Sequence, residues 1–297
     1  MLRPLFAFAD LLARYLTFRL LSHRALEPLG RRFIFIYAYL RFIWVHRRVP
    51  RDKRDHFNDF LFRVRVSGVL REPLRKAITD KILAKEYIAQ RLGPNYTVPT
   101  VVVLDTDEEV RNYHSNCFPL VFKPSHSSGR ILIVNNINEY YAKLKYLSDW
   151  LKHDYFFQSL EENYRGLVGR ILAEPFISAE FFLEGSIHCR QGMPKIVTFI
   201  DRFNPSKSRE SFDVNFQALN VALGCPYQPL ALDRPVFWQD LLNAATKLAH
   251  DFAYIRIDFY ASRDAFLIGE LTNLPAGSYG RFSSLDGADR FSAAFFN

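Results

Sequence analysis

Asp258 and Glu270 lie twelve positions apart near the carboxyl end, within Arg256-Ile257-Asp258-Phe259-Tyr260 and Gly269-Glu270-Leu271-Thr272-Asn273. If the intervening chain folds back on itself, the two carboxylates face each other with Cβ atoms roughly 4.5–5.5 Å apart, and such a pair repels unless a cation lies between. The donors are hard oxygens, with the Asn273 amide as a further one, which suits Mg²⁺ or Mn²⁺ better than zinc. The same spacing also fits two carboxylates meeting water on a solvated sheet face. Arg256 beside them and the loop Pro275-Ala276-Gly277-Ser278-Tyr279-Gly280 after them favour a ligand site.

A hairpin must position this pair. Ile255, Ile257 and Phe259 alternate with Arg256, Asp258 and Tyr260, and Leu267, Gly269 and Leu271 alternate with Ile268, Glu270 and Thr272, the period of a half-buried strand. Ser262, Arg263 and Asp264 supply the turn. Centring it on Asp264 sets Asp258 opposite Glu270 and Arg256 opposite Thr272.

Two upstream segments suggest a phosphate and a base. Phe118 to Pro124 reads as a strand, Ser125-His126-Ser127-Ser128-Gly129 as a small-residue loop, and Ile131 to Val134 as a second strand. Such a loop turns backbone N–H groups toward phosphate oxygens while Lys123 at its edge adds a point charge. It also reads as a simple turn, and the Walker pattern is absent. Ile171 to Ile177 reads as a buried strand ending in a bend, where Glu174 and the backbone after it could pair with an adenine edge between apolar neighbours such as Phe176. A carboxylate capping a turn is the alternative.

The supporting elements are predicted from caps and periodicity. A helix opens at Thr79-Asp80 and stops at Gly93-Pro94; Val98 to Leu104 forms a strand; helices follow at Glu108 to His114 and Tyr140 to Lys152. Pro235 to Phe252 sets Leu241, Leu242, Ala245, Leu248, Ala249 and Phe252 on one helical face and leads into the Asp258 strand.

With 297 residues, 49% of them hydrophobic, the chain can bury a large core. Its three cysteines form no C-x-x-C pair and its histidines show no H-E-x-x-H spacing, so neither a disulfide framework nor a zinc site is indicated. A reducing, cytoplasmic compartment fits. The net charge of +8 is concentrated: residues 1–54 carry 12 Lys+Arg against 3 Asp+Glu, leaving 27 against 28 for the rest. Two aromatic-rich stretches run through this basic segment, but arginines interrupt both, so neither offers the ~20 apolar residues a bilayer crossing needs. Helices of this kind either lie in an anionic lipid surface, at the inner face of the cytoplasmic membrane, or dock on the protein's own core. Nucleic-acid binding is not expected, because no reading module accompanies the charge.

Taken in order, Asp80-Lys81-x-x-x-Lys85, Phe122-Lys123-Pro124 with its Ser/Gly loop, Ala173-Glu174-Pro175-Phe176, Arg256-x-Asp258 and Glu270-x-Thr272-Asn273 resemble the landmarks of ATP-grasp enzymes. The chain from Phe57 onward is most similar to the TupA-like ATP-grasp family, associated with teichuronopeptide and cell-surface polysaccharide biosynthesis. Phe57-Asn58-Asp59, His188-Cys189-x-x-Gly192, Asp201-Arg202 and Phe212-Asp213-Val214-Asn215-Phe216 carry that similarity.

The resemblance implies an α+β ATP-grasp fold in which two subdomains clamp ATP between their sheets. Residues 1–56 would form a helical extension, 57–118 the first part of the domain, 119–178 a lid and 179–297 the subdomain with the magnesium site. Lys81 and Lys123 would bind ATP phosphates, Ser127, Ser128 and Gly129 would form the phosphate flap, and Glu174 with Phe176 would meet adenine. Glu184, or else Glu180, would hold the ribose. Asp258 and Glu270, with Thr272 or Asn273, would bind Mg²⁺, and Arg256 would steady the transferred phosphoryl group. Gly185-Ser186 departs from the family's Tyr-Lys, and Asn273 lies one position beyond the usual metal-binding Asn. Arg202, Asp213 and Asn215 are candidates for contacting the acceptor. The implied activity joins a carboxylate to an amine through an acyl phosphate; a sugar or lipid kinase, or a nucleotide-binding scaffold for glycan-biosynthesis enzymes, are the alternatives.

Overall fold

The computed structural model describes residues 2–51, 56–177, 183–201 and 209–297, without the side chains of residues 2–9. In chain order the elements are α1 (Leu2–Ser22), α2 (Glu27–His46), α3 (Phe57–Val66), α4 (Pro73–Thr79), α5 (Lys81–Leu92), β1 (Val102–Leu104) and α6 (Asp107–Asn112). Next come β2 (Leu120–Pro124), β3 (Leu132–Val134), α7 (Ile137–Ala142), α8 (Leu144–Leu151), α9 (Tyr155–Ser159) and β4 (Ile171–Pro175). The last part holds β5 (Leu183–Arg190), β6 (Met193–Asp201), β7 (Arg209–Asp213), α10 (Trp238–Ala249), β8 (Tyr254–Ala261), β9 (Phe266–Thr272) and α11 (Leu285–Phe296).

Two antiparallel sheets result, a small one ordered β1-β4-β2-β3 and a larger one ordered β7-β6-β5-β8-β9. On the small sheet Phe122, Ile171 and Ala173 pack against Val110, Tyr140, Leu147 and Trp150 of the covering helices. The opposite parity, Lys123 and Glu174, is left facing the large sheet, because successive strand residues point to opposite sides. On the large sheet the odd-numbered Ile187, Val197, Phe199, Ile255, Ile257 and Leu271 bury against α10 and α5. One end of its even face, at Tyr254, His188 and Ile196, is covered by aromatic residues of α3 and α11, Phe57, Phe291 and Phe295. The rest of that face lines the space between the sheets.

Predicted boundaries are adjusted in several places. The expected strand over Val98 to Leu104 is ordered as β only from Val102, and the helix expected at Tyr140 to Lys152 begins at Ile137 and breaks at Lys143. The sheet's central hairpin, β5 and β6 joined at Gln191-Gly192, was not anticipated as strands. Gly192 has φ +76° at that turn, a conformation open to glycine.

The N-terminal helices form a hairpin docked on the body. Leu21, Ile34 and Tyr37 pack with Phe156 and Leu160, while Ala38 and Phe42 pack with Phe62. Arg165 reaches Glu27 at 2.8 Å, and Arg48 forks onto the fully buried Asp59 at 2.6 and 2.7 Å. Of the two alternatives for this segment, docking on the core describes its inner face. No helix among the described residues is long and apolar enough to cross a membrane.

Candidate active site

The β8–β9 ladder pairs Arg256 with Thr272, Ile257 with Leu271 and Asp258 with Glu270, the register read from the alternation. Toward the turn the ladder slips, so that Phe259 pairs with Ile268 and Gly269 is the extra residue. The Ser262 hydroxyl accepts from the backbone N–H groups of Asp264 and Ala265, closing the turn. Beyond β9 the parity changes the outcome for Asn273. Its side chain is buried at 2% exposure, its Oδ1 accepting from Arg75 at 3.0 Å and its Nδ2 donating to the Arg75 carbonyl at 2.9 Å and to Thr79 at 3.0 Å. Asn273 therefore joins α4 to the strand instead of joining the acidic pair, a correction to its place among the metal ligands.

Asp258, Glu270 and Thr272 do come together. Thr272 Oγ1 donates to Asp258 Oδ2 at 2.9 Å, and the same oxygen accepts from Arg256 at 2.7 Å. Arg256 is held charged: burial opposes its proton, but Asp258, Tyr254 and Glu270 outweigh it. Among the described residues no three His, Cys, Asp or Glu side chains converge on one point. A divalent cation here would thus find two carboxylates and the Thr272 hydroxyl as protein donors, a hard-oxygen set of the kind Mg²⁺ takes.

Across the cleft lie the lysines. Asp80 caps α5 by accepting from the N–H groups of Ile82 at 2.8 Å and Leu83 at 3.2 Å, and its other oxygen takes the Ser125 hydroxyl at 2.8 Å and Arg170 at 3.0 Å. One carboxylate thereby ties the helix to the small-residue loop. Lys81, the first residue of α5, then donates to the Ser127 carbonyl and stands 4.0 Å from Glu270. Lys123 meets Glu174 at 2.6 Å, and Lys85 bonds the other Glu174 oxygen. The two lysines respond oppositely. Burial pulls both down, and for Lys85 it wins over Glu174. For Lys123, Tyr260, Glu174 and Glu270 together overcome it and raise the ammonium above its ordinary value.

The base-recognition expectation needs correction in its details. Both Glu174 oxygens are occupied by lysines, and the Phe176 N–H donates to the Pro119 carbonyl at 3.1 Å, so that amide is not directed at a ring. Phe176 is half-buried and does not line the cleft, whereas Glu174 does. Glu184 lines it too, opposite Tyr260 on β8. Glu180 and Arg202 lie outside the described residues. Gly185, where the family pattern has a large side chain, sits under the Phe259 ring, and a Cβ there would come within 2.2 Å of it.

The loop residues separate. Gly129 borders the main cleft, Ser128 borders a second chamber, and Ser127 is buried, its hydroxyl without a partner among the described residues. The main cleft holds about 470 Å³ and the second about 320 Å³; Arg256, Glu270 and Ala276 line both. Asp213 and Asn215 line neither, since Asp213 caps its own turn by accepting from the N–H groups of Asn215 and Gln217. Sequence reasoning assigned no role to Arg130 and Arg209, which also line the cleft. Arg130 follows the small-residue loop directly and was within reach of that reading; nothing local marks Arg209.

No curated protein matches the chain. Among solved structures it resembles D-alanine–D-alanine ligase from Bacillus anthracis complexed with ATP (15% identity, 67% of this chain and 54% of that one, TM-score 0.43). It also resembles the D-alanine–D-alanine ligase from Helicobacter pylori (19%, 73% and 58%, 0.43) and the L-amino acid ligase from Bacillus licheniformis (16%, 85% and 56%, 0.47). The chain thus spans little more than half the length of these proteins. The family model of TupA-like ATP-grasp proteins matches residues 62–292, which takes in both sheets, the lysines and the acidic hairpin. On that match the chain belongs to the TupA-like ATP-grasp family.

Proposed function

We propose that the protein is an ATP-dependent ligase that joins a carboxylate to an amine. The observation that carries this is the placement of Asp258 and Glu270, side by side on β8 and β9, across a cleft from Lys81 and Lys123. A carboxylate approaching the polyanionic end of ATP meets electrostatic repulsion, and fixed cations offset it at the point where charge develops. Lys81 and Lys123 would receive phosphate oxygens, Arg256 would lie against the transferred group, and Glu184 would accept from the ribose. Asp258, Glu270 and the Thr272 hydroxyl would hold magnesium, which when bound neutralises and orients the phosphates.

In this reading a substrate carboxylate oxygen attacks the γ-phosphorus and ADP leaves. The amine then attacks the acyl carbon and inorganic phosphate leaves with the bonding electrons. Following ADP, phosphate and amide with Mg²⁺-ATP and a panel of amino acids and sugar acids tests it. Phosphate and amide appearing in equal amounts supports the ligase; a phosphorylated product with no free phosphate would make the protein a kinase.

The setting we propose is cell-surface polysaccharide assembly at the inner face of the cytoplasmic membrane. The outer face of the α1–α2 hairpin supports it: Leu12, Leu16, Ile36 and Leu40 are each 45% or more exposed, and Arg19, Arg24, Arg32 and Arg47 are exposed around them. Apolar groups bordered by arginines fit the boundary between acyl chains and anionic headgroups.

A further inference from the structure

We propose that the second chamber is the acceptor subsite and that it selects a substrate carrying a second acidic group, recognised by arginines of the N-terminal hairpin. The assignment of the reacting carboxylate rests on the ligase reading above; the preference for two acidic groups rests on the chamber itself. Its shared wall with the main cleft is Arg256, Glu270 and Ala276, so a molecule filling it ends at the place where a phosphoryl group would be transferred. Its far wall carries Arg14 from α1, Arg41 from α2 and Arg65 from α3. Two of these three come from the helices that precede the family match at residues 62–292, so the extension completes the site.

Charge and geometry agree. Among the described residues four guanidinium groups line this chamber against two carboxylates, Glu161 and Glu270, with Asp10 behind Arg14 and Arg41 as a third. Arg65 is buried at 4% exposure; its two terminal nitrogens donate to the Gly277 and Ser159 carbonyls at 2.9 and 2.7 Å, one of them 3.8 Å from Glu161, and its Nε has no partner among the described residues. Arg14 bonds the Gln158 carbonyl and Asp10, and its Nε likewise has no partner among the described residues. The Tyr279 hydroxyl has no partner among the described residues either, and the Arg41 guanidinium lies 4.7 Å from its ring centre. Asp10 accepts from Arg14 and, at 2.8 Å, from the Tyr37 hydroxyl, which in turn accepts from Arg41. This chain of bonds orients the two hairpin arginines before any ligand arrives. Arginine in such a setting matches the two-oxygen edge of a carboxylate or phosphate.

Titration calorimetry of the full chain, with ADP and Mg²⁺ saturating, would compare glutarate, 3-phosphonopropionate and butyrate. At least one of the two diacids should bind roughly tenfold or more tightly than the monoacid, the effect expected of charge-assisted hydrogen bonds. The stronger of the two distinguishes a carboxylate from a phosphoryl group as the second acid. An Arg14→Gln, Arg41→Gln double variant should lose that preference while binding ADP within twofold of wild type; the exposed Arg19→Gln should keep it. If the double variant fails to fold, Arg14→Lys with Arg41→Lys, which keeps charge and stems, should weaken the preference several-fold. Equal binding of diacid and monoacid to the wild-type protein, or a preference that survives both arginine variants, would overturn the subsite while leaving ligation standing. Failure of ADP to bind at all would instead strike the ligase reading.

Discussion

Glu174 is clasped by two lysines, Lys123 at 2.6 Å on the neighbouring strand and Lys85 on α5, and so binds the small sheet to the helix that begins at Lys81. The carboxylate is 5% exposed. Removing its charge would leave two ammonium groups facing each other in a partly dry space, and breaking such a pair on one side costs about 3–5 kcal/mol. Glu174→Gln should therefore lower the unfolding free energy by that order, and adding Lys85→Met should restore part of it. Chemical denaturation checks both; a single variant within 0.5 kcal/mol of wild type would contradict the role given to Glu174.

Asp258 and Glu270 are expected to matter for turnover more than for folding, because both sit at the edge of an open cleft. Asp258→Asn and Glu270→Gln should each reduce ADP release in the ligation assay by roughly 10²–10³, by analogy with the loss of a single electrostatic donor in other active sites. Thr272→Val, which removes a neutral hydroxyl bonded to Asp258 and Arg256 and leaves both carboxylates in place, should cost less. Wild-type rates in either carboxylate variant would remove these residues from the site.

The buried Glu161 gives stability a pH dependence. Burial raises its carboxyl from an ordinary 4.5 to about 7, partly offset by Arg65 and Arg41. The folded protein thus holds a proton that the unfolded chain releases near 4.5, so this group's contribution is complete below that pH and is lost as pH climbs to about 7. The loss is on the order of 3 kcal/mol. Glu161→Gln should flatten the decline between those limits. A variant whose unfolding free energy keeps the wild-type slope there would show that another group is responsible.

Vesicle binding should follow the outer face of the hairpin. Leu16→Ser with Leu40→Ser changes two exposed positions, 45% and 59%, and leaves the packed inner face untouched. Each burial forfeited is worth about 1.5–3 kcal/mol, so sedimentation with anionic vesicles should fall tenfold or more, and salt should weaken what remains. Equal sedimentation of variant and wild type, or binding indifferent to salt, would remove the membrane from the account.

The acidic hairpin was legible because a period of two carries its own parity. Once the turn is placed at Ser262 to Asp264, Asp258 must face Glu270. The one-residue slip at Gly269 was not, since alternation alone does not mark an extra residue in one strand. The amide oxygen of Asn273 suggests a ligand, but the residue follows Thr272 by one step and so faces α4. Lys123 could be recognised by its place beside the small-residue loop, and Lys81 through the family resemblance. The double use of Glu174 could not, because Lys85 arrives from an element almost ninety positions away in sequence. Arg14 and Arg41 of the second chamber are hidden more deeply, as their basic segment reads equally as a lipid-facing surface until the inner side of each helix is known.

Magnesium-dependent nucleotide binding tests the central claim most directly. Calorimetry of ADP binding to the wild-type chain with and without Mg²⁺ should show uptake at one site that strengthens when the metal is present, and the Asp258→Asn, Glu270→Gln pair should erase the strengthening while retaining metal-free binding through Lys81 and Lys123. No heat from ADP in wild type, or the same metal effect in the doubly substituted chain, would contradict a nucleotide and metal site between these two sheets.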